Sequence, residues 1–197
     1  VQKMDNLSRL DAGFTKNSLL YLNDGNGNYN LTSSPFIPVE RGMVAFKDVD
    51  NDSDLDVFFS GNDGASGITD LYFNDGSGNF TASSSGLPVK VNGNIMFEDF
   101  NNDNEIDLIY QGTGSNLSDV IICLGDGTGN FNVLPNNNMY AATYGSISVG
   151  DVDGDNVKEV FISGGLPGGR GAYLYKRVNC LPNYVEVSVS SCGTYTS

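Results

Sequence analysis

Three stretches of this chain repeat one another in register: FKDVDNDSDLDVFFSG from Phe46, FEDFNNDNEIDLIYQG from Phe97 and VGDVDGDNVKEVFISG from Val149. Their first aspartates stand at 48, 99 and 151, so the unit recurs every 51 to 52 residues. A second marker keeps the same period: LYLNDGNGNYN, LYFNDGSGNFT and CLGDGTGNFNV carry Asp24, Asp75 and Asp126. A repeat of this length is a supersecondary unit too small to bury its own apolar faces, so successive units must stack on one another.

Within one period the pattern gives four short strands. Residues 43 to 47 and 55 to 60 flank the acidic stretch, 69 to 74 lead into a glycine-rich turn, and Phe80 opens the fourth strand. The triplets VFF, LIY and VFI are continuously apolar, as expected of strands covered on both faces by neighbouring sheets. The expected fold class is therefore all-β, a β-propeller of four-stranded antiparallel blades. The phase assigns 1–30 to a partial blade, 31–82, 83–133 and 134–177 to three blades with one acidic loop each, and 178–197 to a C-terminal linker or the start of a next module. Stepping back one half-period from Asp24 places that hairpin's acidic loop before Val1, and LYKRVN keeps the Leu-Tyr strand without the Asp-Gly turn. The expectation is an incomplete set of blades from a larger propeller.

The glycine-rich turns have a structural explanation, since Asp-Gly and Gly-Asn supply residues that tolerate positive φ where a tight turn needs them. GGLPGGRG, residues 164 to 171, lacks the Gly-Lys-Ser/Thr ending of a phosphate loop and falls between strands, so it reads as a connection.

The acidic stretches admit two readings: a solvated turn, or a cage for a cation. Counted from the first Asp, positions 1, 3, 5 and 9 are Asp48, Asp50, Asp52 and Asp56; Asp99, Asn101, Asp103 and Asp107; and Asp151, Asp153, Asp155 and Glu159. Every one is an oxygen donor. Position 7 varies as Asp54, Glu105 and Val157, which suits a backbone carbonyl ligand. Packed carboxylates repel one another unless a cation sits among them, and calcium takes six to eight oxygens at about 2.3–2.6 Å. The threefold recurrence in register favours the cage. An EF-hand is excluded, because its bidentate Glu at position 12 is replaced by Phe59, Tyr110 and Ile162. Position 6 is Ser53, Asn104 and Asn156, where a sharp turn often takes Gly, and Lys158 sets an opposing charge beside the third loop. The cofactor expected is Ca2+, about three ions, with all of these loop residues as candidate ligands.

The net charge of -14, from 24 acids against 10 bases, opposes nucleic acid and anionic membrane surfaces as partners. The loops hold 13 of those 24 acids. There is no histidine, which removes the Ser-His-Asp and Cys-His arrangements and most catalytic zinc sites. No apolar run is long enough to span a bilayer as a helix, and VQKMDNLSRL lacks the apolar core of a signal peptide. Cys123, inside VIICL, reads as a small core residue; Cys180 and Cys192 could pair, but sequence alone does not fix their geometry.

The D-x-D-x-D-x-x-x-D loop between two strands, alternating with LYxNDGxGNF every 50 residues or so, resembles the FG-GAP/VCBS repeats of integrin-α-type β-propellers over roughly residues 19 to 176. That resemblance implies a secreted or cell-surface calcium-binding module that mediates protein or glycan binding or adhesion, with calcium structural and no catalytic residues. It also implies an extracellular setting in which Cys180 and Cys192 form a disulfide. The expected partners are a protein or carbohydrate ligand and further propeller blades from missing sequence or another chain. Two other readings stay open: an accessory or catalytic propeller of a polysaccharide-degrading enzyme, which two carboxylates alone can serve, and a scaffold subunit of a larger extracellular assembly.

Overall fold

The computed structural model describes residues 16–114, 120–135, 139–166, 169–177 and 187–190. Among them are fourteen strands, all paired antiparallel with their sequence neighbours. The hairpin β1 (Leu20–Asn23) and β2 (Tyr29–Thr32) forms a two-stranded sheet. The first four-stranded sheet is β3 (Glu40–Lys47), β4 (Asp56–Asn62), β5 (Gly67–Asn74) and β6 (Phe80–Ala82). The second is β7 (Val91–Glu98), β8 (Asp107–Thr113), β9 (Ile121–Gly125) and β10 (Phe131–Val133). The third is β11 (Thr143–Gly150), β12 (Glu159–Leu166), β13 (Gly169–Arg177) and β14 (Val187–Ser190). No helix of the described residues is long and apolar enough to cross a membrane.

The apolar triplets explain how the sheets stack, because successive side chains of a strand point to opposite faces. Phe58 of β4 faces the second sheet and packs with Ile95, Leu108 and Tyr110, while Val57 and Phe59 face Phe36 and Val39 on the other side. In β8, Leu108 and Tyr110 turn back to the first sheet and Ile109 turns forward to Ile147, Val160 and Ile162 of the third. In β12, Val160 and Ile162 complete that second core, and Phe161, on the far face, is 45% exposed. The first strands of the sheets are neighbours, β3 against β7 and β7 against β11, and the Ile147 amide donates to Asn94 Oδ1 across the latter pair at 3.1 Å.

Each first strand carries the same irregularity. The register slips between Glu40 and Met43, between Val91 and Asn94, and between Thr143 and Ser146, at a residue of positive φ: Arg41, Asn92 or Tyr144. A glycine follows each time, and at Gly93 the reason is plain, since a Cβ there would collide with the Gln111 carbonyl oxygen. These are β-bulges that re-aim the strand where the sheets crowd together.

The third sheet takes its last strand from the segment assigned to the linker, since β14 pairs with β13 from Leu174↔Ser190 to Arg177↔Val187. The physical reason is the alternation VEVSVS, a period of two that suits a strand. Cys180 and Cys192 lie outside the described residues. Cys123 is a free, fully buried thiol, and burial pushes its pKa up to about 12, so it behaves as a core side chain.

Candidate metal centre

The three acidic loops join the first two strands of each four-stranded sheet, and all lie at one end of the stack with the glycine-rich turns. Their backbone winds through two left-handed residues, at positions 4 and 6: Asn51 and Ser53, Asn102 and Asn104, Gly154 and Asn156. Ser53 thus accepts the conformation that glycine usually supplies, at φ 76°. The winding lets the first Asp of each loop accept amides from its own turn: Ser53 N donates to Asp48 Oδ2 at 3.0 Å, Asn104 N to Asp99 Oδ2 at 3.0 Å and Asn156 N to Asp151 Oδ2 at 2.9 Å.

Position 9 is a buried strut. Asp56 accepts Val49 N at 3.1 Å and Asn74 N at 3.0 Å, and Asp107 accepts Phe100 N at 2.9 Å and Gly125 N at 3.0 Å, so each ties its loop to the third strand of its sheet. Glu159 accepts Val152 N at 2.9 Å through Oε2, and its buried Oε1 has no hydrogen-bond partner.

In the first loop, one oxygen from each of Asp48, Asp50 and Asp56 lies within 4.8 Å of the others, and so do oxygens from Asp151, Asp153 and Glu159 in the third. Both groups could hold a metal ion. The donor set is all carboxylate, the chemistry a hard cation takes, and Asp48 Oδ1 is buried without a partner inside the first group. Asp52 and Asp54 stay out of it: Asp52 Oδ1 accepts Asp54 N at 2.8 Å, and the Asp54 carboxylate lies against Gly76 in the following turn. The second loop does not gather three carboxylates. Asn101 is neutral and donates to Asp103 Oδ2 at 2.7 Å, Asp99 Oδ1 accepts Asn102 N and Asp103 N at 2.7 and 3.2 Å, and Glu105 turns outward to accept Asn51 Nδ2 at 3.0 Å. In the third loop Asp155 Oδ1 accepts Val157 N at 2.8 Å, and the Val157 side chain offers no donor atom.

The loops also bond to one another. Asn51 Nδ2 reaches Gly127 O at 3.2 Å as well as Glu105, Gly129 N donates to Val49 O at 3.0 Å, and Asn102 Nδ2 donates to Asn156 O at 2.9 Å. The first loop is thereby locked to the second sheet's loop and turn, and the second loop to the third.

Residues 99–162, from the first ligand position of the second loop to the strand after the third, match the family described as the FG-GAP-like repeat. That stretch is similar to an FG-GAP-like repeat. No curated protein matches the chain. The stretch from Asp48 to Tyr110 has the same arrangement as the matched FG-GAP-like repeat, loop for loop and strand for strand.

The glycine-rich turns are self-contained. Asp126 accepts the Thr128 hydroxyl at 2.7 Å, Thr128 N at 2.9 Å and Asn130 Nδ2 at 3.1 Å, bonds that hold its carboxyl down to about 2. Asp24 and Asp75 are lowered in the same way by Asn28 and Asn79. These aspartates brace turns, as the structural reading of DG and GN expected.

Two features were missed by reading the loops alone. Lys158 does not enter the third loop but pairs with Glu98 at the end of β7. The cation that does enter is Lys176 of β13, whose ammonium pairs with Asp153, with Asp155 at 3.3 Å and with Glu159 Oε1 at 3.8 Å. Its signal was in the repeat phase, which aligns Phe73, Leu124 and Lys176.

Without a bound cation, burial pushes Asp107 up to about 6, helped by Asp103 and Asp99, and burial also raises Asp56. A carboxyl whose folded pKa is raised destabilises the folded state above that pKa, and this penalty disappears as pH falls through it towards the unfolded value near 4. Chelator-treated protein should therefore melt at higher temperature at pH 5 than at pH 7. Below about pH 4 the unfolded chain protonates at Asp24, Asp75 and Asp126 before the folded one does, because folding lowers these carboxyls, and stability should fall again down through their folded values. A Tm that declines steadily from pH 7 to pH 5 in chelator would contradict the assignment of Asp56 and Asp107 as buried struts.

Proposed function

We propose that the chain is a calcium-stabilised β-propeller segment of a secreted or cell-surface protein, that it is not an enzyme, and that it serves protein or glycan binding. The observation that carries the calcium part is the convergence of Asp48, Asp50 and Asp56 around a buried, unpartnered Asp48 oxygen. The propeller part is supported by three equivalent sheets stacked face to face with their first strands adjacent, the arrangement that radial stacking requires. In this reading the ions are structural: they neutralise clustered carboxylates and hold rigid the loops that link one sheet to the next. The exposed Phe161 face of the third sheet is covered by a further repeat, from this polypeptide or another chain.

One cleft among the described residues offers contact surface for a protein or glycan partner. It opens between the first and second sheets at the end away from the acidic loops, has a volume of about 540 Å³, and is lined by Asn62, Gly67, Val89, Val91, Thr113 and Gly114. None of these side chains ionises, so the cleft offers contact surface without an acid–base pair.

Replacing Asp48 and Asp50 together by Asn tests the assignment. The double variant should lose calcium binding at the first loop, seen as one fewer ion in a calorimetric titration, while the fold persists by circular dichroism. Unchanged stoichiometry and affinity would refute it.

A further inference from the structure

We propose that Lys176 is a resident cation of the third acidic loop. Its ammonium supplies the positive charge that the first loop takes from solvent, so the third loop keeps its shape without metal and binds calcium only when Lys176 is displaced. The second half of this proposal rests on the calcium reading above.

The contrast between equivalent positions carries the argument. At the position that becomes 176 in the third unit, the first unit has Phe73, whose ring packs on Gly129 of the next turn, and a Cβ at that glycine would also touch Asp50 Cβ at 3.5 Å. A side chain there therefore stands beside position 3 of its own loop, and Lys176 contacts Asp153, which is position 3 of the third. An apolar ring at that place leaves the carboxylates uncompensated, whereas an ammonium on a four-carbon stem reaches into them. The lysine meets three of the loop's four acids, Asp153, Asp155 and Glu159. Glu159 makes the pairing more than a surface contact, because its side chain is 0% exposed and its Oε1 lacks a hydrogen bond, so that oxygen needs a positive charge close by. The ammonium stands 3.8 Å away. Surface ion pairs contribute little, but here one cation answers a cluster that includes a buried carboxylate. Lys158, the other cation beside the loop, is engaged by Glu98 and does not compete for this role.

A divalent ion at the third loop must expel this ammonium before it can use Asp153 and Glu159, so calcium binds there more weakly than at the first loop. The loops then fill in order as calcium rises, the first before the third.

The test compares the whole chain with its Lys176→Met and Lys176→Arg variants, using calcium titration calorimetry and thermal melting in chelator. Met keeps the length of the stem and removes the charge; Arg keeps the charge. Lys176→Met should bind calcium at the third loop at least about tenfold more tightly and should melt below wild type in chelator, with Lys176→Arg melting close to wild type. Identical calcium isotherms for wild type and Lys176→Met, where wild type binds calcium, would overturn the displacement claim. If neither protein binds calcium, the calcium reading fails, and the resident-cation role is decided by melting alone: equal Tm of wild type and Lys176→Met in chelator overturns it.

Discussion

Calcium at about a hundredfold excess over the dissociation constant of the weaker third loop is expected to raise the melting temperature of this chain by at least about 10–20 °C, and chelation to reverse the gain. A ligand that binds only the folded state stabilises it by about 2.7 kcal/mol per site at that excess, so two sites give about 5 kcal/mol. For a chain of this size each kcal/mol moves Tm by roughly 2–4 °C. The physical source is the relief of repulsion in loops that gather 13 of the chain's 24 acids on a background charge of -14. Magnesium should do much less, because it demands a tighter octahedral shell and gives up its water reluctantly. Coincident thermal scans in calcium and in chelator would remove the cage from the account.

The second large effect concerns stacking, and it compares two phenylalanines at the same place in the repeat. Phe58 is fully buried between the first and second sheets, with its ring 5.1 Å from that of Tyr110, whereas Phe161 is 45% exposed on the outer face of the third sheet. Truncating a buried Phe removes its transfer free energy and leaves a cavity, a cost of about 3–5 kcal/mol. Phe58→Ala should therefore lower Tm by about 6–20 °C, by the same conversion. Phe161→Ala should cost about 1 kcal/mol or less, since 45% of its surface is already in solvent and no sheet among the described residues packs on that face. Equal losses for the two would mean that the sheets do not stack through these faces as described.

Much of this architecture was legible because it is written in periodicity. The apolar triplets VFF, LIY and VFI place alternate side chains in successive cores, and Leu108, Ile109 and Tyr110 divide between two of them as a period of two requires. The loop spacing likewise marked Asp48, Asp50 and Asp56, because alternate residues in a tight loop turn towards one point. What stayed hidden depends on contacts far apart in sequence. Position 7 reads as a backbone carbonyl ligand, and the sequence does not show that the Asp54 and Glu105 side chains turn to the neighbouring turns at Gly76 and Gly127. Asn101 keeps its amide oxygen as a candidate ligand, but its Nδ2 donates to Asp103, and the second loop does not gather three carboxylates. Lys176 sits in a different strand from the loop it enters, so only the phase against Phe73 and Leu124 could have flagged it. The bulges at Arg41, Asn92 and Tyr144 left only the recurring glycine after them, Gly42, Gly93 and Gly145, a weak signal until the register slips showed its use.

Counting the ions tests the central claim most directly. Chelator-stripped protein titrated with Ca2+ in a calorimeter at moderate ionic strength should show saturable binding, with the tightest site in the sub-millimolar range typical of extracellular modules, about 0.1–1 mM. The first loop should fill before the third. A flat titration to about 10 mM, well above that range, would contradict the reading of these loops as calcium cages.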